Sequence, residues 1–458
     1  MNDHVINIIN SEDAVSETVG YSFILAIVMI AVGILVVIAF PIQTDIQNTA
    51  FVESQIQALT MLDSRISSVA MGSSPSQLTR INLNGGVMNV RNDSGNYLKV
   101  IVSNETGYNI TIFNKTFGLI EYKLGDNRLI YENGGMFRIY PNGESVMLSP
   151  PEFYYNGETL TFPAIRIQNS ASAGGKGMLS VVASSTEGTK IIYPNLSSSL
   201  LLNPIYGKQI KIRIKSDNYK AWARYIRERT EAVPLTNDVT KEVVVAFNSK
   251  PSENPADLEV PIEVFGLDAT NSTPLTKFEF NLTTVTSDFH MVLRAPTSDS
   301  NDLVLDFQKR TGDGTSGISV EINYNKGGAN ETWQSRSLAW IQSQEATINL
   351  LNQSVDSEYK NNDDSITWAN ESYPFNTTYK QQSCCDGPVP LNVIIQHYIK
   401  LVSETGTFSI YSGTKPGDPD WGKGFNPDNS TYTLSYNIMP PAINYLHIVD
   451  HPVNVSLS

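Results

Sequence analysis

Cysteine is all but missing. The 458 residues hold two, and they are neighbours, Cys384-Cys385. No long-range disulfide can close within one chain, so the folded parts must be held by cores and hydrogen bonds. The pair lies in a Gly/Pro turn, CCDGP, either as free thiols or as a vicinal disulfide that strains the peptide between them. Zinc needs two further ligands at standard spacing, and they are absent. Charge is scarce too, at 17% against about 25% in an average domain. Asn, Ser and Thr supply the polarity instead. The net charge of −14 argues against a nucleic-acid partner. Lys and Arg are absent before Arg65, and residues 1–64 carry a net charge of −7. The leader MNDHVINIINSED therefore lacks the basic n-region of an ordinary secretory signal, and the positive-inside rule has nothing to act on.

Catalytic signatures are missing as well. The chain has no HExxH, no G-x-S-x-G, no P-loop and no Rossmann glycine pattern, and no repeat of solenoid or propeller period. No catalytic residue, cofactor or metal site is nominated, and the expectation is a protein that is not an enzyme. His447 and His451, with Asp450 beside them, have metal-compatible spacing on one strand face, but no third ligand is in view. Asp418, Asp420, Asn426, Asp428 and Asn429 crowd a Gly/Pro loop, either a plain surface loop or a Ca²⁺ loop without EF-hand spacing. His290 and His397 read as structural.

What the chain does have is one long apolar run, Val19–Phe40, 22 residues without a charge. As a helix it spans the ~30 Å hydrocarbon core of a bilayer. It has no polar face, which a soluble core helix would need. Ser16 is placed to cap this helix and Glu17 to sit in its first turn, against the helix dipole. Pro41 should kink it. Beyond it Ile42, Ile46, Ala50, Ile56, Leu59, Leu62, Ile66 and Val69 recur at helical spacing with one gap, and Gly72 to Pro75 stop the run. From Ser16 to Met71 such a helix measures on the order of 80 Å.

Short alternating runs separated by Gly/Asn turns fill the rest, so the expected class is α+β, mostly β: a long transmembrane or stalk helix, then two β-rich domains with few helices. Lys208–Lys215 alternates like a strand, and Tyr219, Trp222, Ala223 and Ile226 then share a helix face. KEVVVAF (241–247) returns as a strand. Within 208–230, eight basic residues meet only Asp217 and Glu228, a local +6 that is either a solvated face or a dock for an acidic surface. The loop NSKPSENPAD (248–257) marks a domain boundary, and Leu391–Glu404 a helix. The divisions are a leader 1–13, a stalk 14–72, a β-rich head 73–250 with a strand–helix–strand unit near 208–247, and a second β-rich domain 251–458. Thirteen N-x-S/T sequons, at Asn92, Asn104, Asn109, Asn114, Asn195, Asn271, Asn281, Asn330, Asn352, Asn370, Asn376, Asn429 and Asn454, all fall past residue 91. That distribution suits a translocated, glycosylated ectodomain, though a chain rich in Asn, Ser and Thr produces such triplets by composition as well.

The junction DAVSETVGYSFILAIVMIAVGILVV resembles the class III signal of archaeal type IV pilin-like proteins. Ala14, Val15, Ser16 and Gly20 match, with Glu17-Thr18 at the polar pair; the leader departs from the pattern in having no basic residue. The resemblance implies a prepilin peptidase cut between Asp13 and Ala14, before the apolar run, which the mature chain keeps. It also implies a second role for Glu17, pairing with the terminal amine of a neighbouring subunit. LIEYKLGDNRLIYENGG (119–135), MLSPPEFYYNGETLTFPAIRI (147–167), SDNYKAWARYIRERT (216–230) and YLHIVDHPVNVSL (445–457) resemble, in order, segments of an uncharacterised family of archaeal pilin-like surface proteins. This likeness implies a single-pass protein of the cell membrane with its C-terminal part outside. Its expected partners are the membrane, the peptidase and other pilin-like subunits met through the N-terminal helix. The large head suggests a minor or tip subunit of a filament; the alternative is a non-assembling surface glycoprotein with a binding or adhesive ectodomain.

Overall fold

The computed structural model describes residues 12–92, 95–230, 232–258, 261–296, 302–310, 317–326, 329–360, 365–367, 378–380, 389–403, 406–412 and 422–458. The chain is mostly β, with one dominant helix at the start, as the alternating patterns predict. That helix, α1, runs over Glu12–Ala70 as one element of 59 residues. It already runs at Glu12, upstream of Ser16, which therefore lies inside the helix rather than at its cap. Pro41 removes one backbone donor, yet the helical assignment continues through it.

The two halves of α1 differ in surroundings. Over Val19–Ile38 the mean hydropathy is 2.9 and none of the segment is buried in the protein. Further on, Leu59, Leu62, Ile66 and Val69 are buried and Ile56 is partly so, the face that the spacing predicts. Ile42, Ile46 and Ala50 have side chains outside the described set. Burying three of these, Leu59, Leu62 and Ile66, contributes roughly 1.5–3 kcal/mol each.

The head closes around that docked face. One six-stranded sheet contains Ser76–Asn82, Met178–Ser185, Tyr445–Leu457, Thr159–Ile167 and Tyr154–Tyr155 in that order, with Lys190–Tyr193 also on Tyr445–Leu457. A second six-stranded sheet orders Ala171–Gly174, Val87–Arg91, Leu119–Leu124, Asn127–Glu132, Gly135–Ile139 and Ser145–Ser149. The foot of α1 shares a core with both. A five-stranded sheet carries the expected strand–helix–strand unit. Lys208–Lys215 and Glu242–Asn248 are antiparallel neighbours, joined through α2 (Tyr219–Thr230), which buries Tyr219, Trp222, Ala223 and Ile226.

The second domain is narrower than the expected 251–458. Its core runs from Leu258 to Tyr436 and includes α3 (Leu391–Val402). The last strand, Tyr445–Leu457, belongs to the head. It pairs parallel with Thr159–Ile167, from Thr159↔Tyr445 to Ile167↔Val453, and antiparallel with Met178–Ser185. A strand that buries Leu446, Ile448, Val449, Val453 and Val455 on both faces needs a central position, and it takes one in the head, between Thr159–Ile167 and Met178–Ser185. The second domain is thus an insertion in the first, and the outgoing and returning chains touch at the Asn248↔Ala442 bridge.

Inside the head, Glu132 has no exposed surface. Its carboxylate accepts hydrogen bonds from Trp222 Nε1 at 2.8 Å, Ser216 Oγ at 2.5 Å and Asn96 Nδ2 at 2.9 Å. Burial raises its pKa, and the Ser216 and Trp222 bonds oppose that. The group joins the second sheet to the strand–helix–strand unit and to the start of Tyr97–Asn104. Glu132→Ala would strand three buried donors and open a cavity. The expected loss of about 3–5 kcal/mol, or failure to fold, is measurable by chemical denaturation of the full chain.

Candidate functional site

Asp13, Ala14 and Glu17 all lie within α1, so the expected scissile bond lies within helical backbone; the orientation of these side chains is outside the described set. Among the sequons, Asn92, Asn109, Asn114, Asn195, Asn330 and Asn429 are exposed, and Asn104, Asn271, Asn281, Asn352 and Asn454 are partly so. Asn370 and Asn376 lie outside the described residues, as do Cys384-Cys385, Asp418 and Asp420. Asn426, Asp428 and Asn429 of the same loop are described, the last two in a 3-10 turn, Pro427–Asn429.

Three of the eight basic residues of 208–230 meet acids from outside the segment. Arg213 faces Glu242, Lys220 faces Asp238 and Arg224 faces Glu144, each at 3.7 Å. Lys208 Nζ donates to the Leu200 carbonyl at 2.6 Å. Exposed pairs of this kind contribute little to stability, but they cancel much of the local +6.

The C-terminal strand separates the histidines from their neighbour by simple alternation. His447 and His451 line one groove, while Asp450 points to the other side. There Asp450 takes a bidentate pair from Arg166, Nε to Oδ1 at 2.5 Å and Nη2 to Oδ2 at 2.9 Å, with Lys115 Nζ at 3.6 Å. Asp450 is thus engaged and does not complete a metal site with the two histidines. Among the described residues no cluster of three His, Cys, Asp or Glu could hold a metal. His290 pairs with Asp306 at 3.0 Å, and His397 is buried against Tyr398 in the second-domain core.

The groove itself is an open concavity among the described residues. It measures about 920 Å³ and lies where the foot of α1 meets the head. Asp63 and Ser67 of α1 form one wall, Ser149 to Glu152 a second, and Thr189, Ile191, His447 and His451 a third. Asp63 is only 7% exposed. Its Oδ2 accepts from Ser149 Oγ at 2.5 Å, and its Oδ1 is buried without a hydrogen bond. Burial pushes the Asp63 carboxyl from 3.8 up to about 6; Ser149 opposes the rise and Glu152 adds to it. His451, 4% exposed, has Nδ1 at 3.3 Å from Thr189 Oγ1, and burial pushes its pKa down.

The groove was not among the sites the motifs suggested. One signal pointed there: Asp63 follows Leu62 and precedes Ile66 by three residues, so it shares the docked helix face as a lone charge. The Ser149 and Glu152 wall carries no signature of its own.

The fold and the groove define a class: a β-rich head built on the second half of a long helix whose first half is long and apolar enough to cross a membrane. The chain belongs to the family of unknown function DUF7289, whose profile matches residues 14–262. Residues 263–437, nearly all of the second domain, are similar to a domain of unknown function, DUF7308. An uncharacterised protein of Archaeoglobus fulgidus is 26% identical over 272 residues, 50% of this chain and 88% of the relative. A solved GH43 protein mutant from Bacillus licheniformis aligns over 76% of this chain and 85% of its own at a TM-score of 0.16 and 8% identity, which is too remote to inform the fold.

The Asp63 shift has a direct consequence for stability. A carboxyl whose folded pKa lies above its unfolded value binds more protons folded than unfolded between the two. Stability is full below about pH 4 as far as this group is concerned, and is lost as pH rises through about 6. The loss is on the order of 2–3 kcal/mol. In melting of the full chain in detergent, Asp63→Asn is expected to remove this slope and raise Tm at pH 7.

Proposed function

We propose that this is an archaeal pilin-like cell-surface protein, held in the membrane by the first half of α1 and displaying its β-rich domains outside the cell, with no catalytic role. The observation that carries this reading is the division of α1: Val19–Ile38 apolar on every side and uncovered by the head, Leu59 to Val69 embedded in it. An ordinary cleaved signal would be lost from the mature chain. Here the apolar run continues without interruption into the helix on which the head is built, so removing it by a cut after the run would divide a single element. Prepilin-type processing, before the run, leaves that element whole. The sequence supports the same reading through Ala14, Val15, Ser16 and Gly20, and through sequons that begin only past residue 91.

On this reading the first half of α1 rests in the bilayer before assembly and packs against equivalent helices in a filament. Glu17 then sits near the new N-terminus, where it neutralises a neighbour's terminal ammonium. Residues 76–458 form a head too large to repeat at close helical spacing, which favours a minor or tip position.

N-terminal sequencing of the mature protein from native membranes should return a start at or near Ala14. A retained Met1, or a start beyond residue 40, would overturn the processing. Immunolabelling of sheared filaments separates the two fates of the processed chain: label on filaments supports an assembled subunit, and label confined to membranes supports a lone surface glycoprotein.

A further inference from the structure

We propose that Asn156-Gly157, in the turn between Tyr154–Tyr155 and Thr159–Ile167, is a site of spontaneous backbone modification that converts Asn156 to aspartate and isoaspartate. Asn-Gly occurs four times, at Asn84, Asn133, Asn142 and Asn156. A glycine in second place leaves its amide nitrogen sterically open to the preceding side-chain carbonyl carbon, because it has no Cβ. By sequence the four are alike. The fold ranks them.

The reaction needs a free amide nitrogen, donors for the charge that develops on the side-chain oxygen, and water. The Gly85 N–H is held by the Gly175 carbonyl at 2.9 Å, and the Gly143 N–H by the Tyr140 carbonyl at 2.8 Å. Asn133 is fully buried, and its Oδ1 accepts from the Ile165 N–H at 3.1 Å. Asn156 is exposed, and the Gly157 N–H has no hydrogen-bond partner among the described residues. Nothing lies within 4 Å of where a Gly157 Cβ would stand, so a ring closes there without a clash. Asn156 Oδ1 accepts from two backbone donors, the Glu158 N–H at 3.1 Å and the Thr159 N–H at 2.8 Å. Asn142 Oδ1 has one, the Glu144 N–H at 3.0 Å. The two donors at Asn156 are aimed at the atom that becomes an oxyanion.

Gly157 N gives its proton to a solvent base and bonds to Asn156 Cγ. The carbonyl electron pair moves onto Oδ1, where the two N–H groups hold it. It returns as the Cγ–Nδ2 bond breaks, and Nδ2 takes a proton from water and leaves as ammonia. Water then adds to either carbonyl carbon of the cyclic imide and opens it to aspartate or isoaspartate. Amide and water become acid and ammonia, and nothing is oxidised or reduced.

The turn also holds the chain as it returns from the second domain. The Glu158 carbonyl accepts from the Asn444 N–H at 2.7 Å and the Tyr445 N–H at 3.0 Å. Tyr155 Oη donates to the Ala442 carbonyl at 3.1 Å. Isoaspartate routes the backbone through the side-chain carbons of residue 156 and displaces the Glu158 carbonyl. Aspartate keeps both the backbone and the acceptor. Isoaspartate therefore loosens the exit of the second domain, and aspartate does not.

Ageing the purified full chain in detergent at pH 8, in heavy-oxygen water, tests this by peptide mass spectrometry. Heavy oxygen is expected at residue 156 at least about tenfold faster than at 142. In the urea-unfolded chain that preference should vanish. Amide hydrogen exchange at Asn444 and Tyr445 is expected to quicken in the isoaspartate fraction and to stay unchanged in Asn156→Asp. Incorporation at 156 no faster than at 142, or the same preference in urea, would overturn the modification site. Unchanged exchange at Asn444 and Tyr445 in the isoaspartate fraction would overturn the loosening.

Discussion

A single helix has to satisfy two different surroundings, and the rest of the molecule is arranged around that demand. Leaving a Leu, Ile, Val or Phe in water rather than burying it costs about 1.5–3 kcal/mol. Summed over the apolar side chains of Val19–Ile38, the penalty exceeds the about 5–15 kcal/mol net stability of a domain. The head cannot relieve it, because none of that half is covered. By length and apolarity the segment suits the hydrocarbon core of a membrane. The second half has the opposite problem: one apolar face, Leu59 to Val69, that helices of its own kind would cover only in part. Two sheets of the head close over it, and Arg138 adds an ion pair to Glu53 of the helix at 3.6 Å.

The head is completed by the last residues of the chain. Tyr445–Leu457 is a central strand of the sheet under α1, so the head is finished only when the second domain has been traversed. Arg166 and Asp450 meet across 284 positions of sequence. An inserted domain is best tolerated where its two ends lie side by side, and the Asn248↔Ala442 bridge brings them together, with Ile443 N–H donating to the Asn248 carbonyl at 2.8 Å. The second domain is therefore fastened at both its entry and its exit, unlike a terminal module on a single linker.

Legibility followed range. Features set by local periodicity were readable: the apolar run, the docked face of α1, the buried face of α2 at Tyr219, Trp222, Ala223 and Ile226, and the helix that became α3. Strand alternation also placed His447 and His451 on one face. Features set by distant pairing were not. Nothing in YLHIVDHPVNVSL says which sheet it joins, since an all-round apolar strand suits any central slot. Glu132 looks like an ordinary turn-side glutamate in LIYENGG; its partners Ser216 and Trp222 lie 84 and 90 positions away. The groove combines α1, a proline-rich connector and the last strand, so no window of sequence contains it. Its one local trace is Asp63, a charge on the docked face of α1, and its spacing alone does not mark it as part of a site.

Three buried carboxylates of the head separate structure from site by how completely they are paired. Glu132 has three donors and Asp450 a bidentate guanidinium, so both are satisfied within the protein and hold elements in register. Removing a partner from either leaves a buried charge uncompensated in a low dielectric, which makes such networks rigid. Asp63 has a single hydroxyl on one oxygen and nothing on the other. A Leu in its place would dock the helix better, given its neighbours, and its carboxyl is pushed up to about 6 instead of being held down by a cation. A carboxylate so placed weakens the junction it occupies, and does so more as pH rises through about 6 and the group ionises.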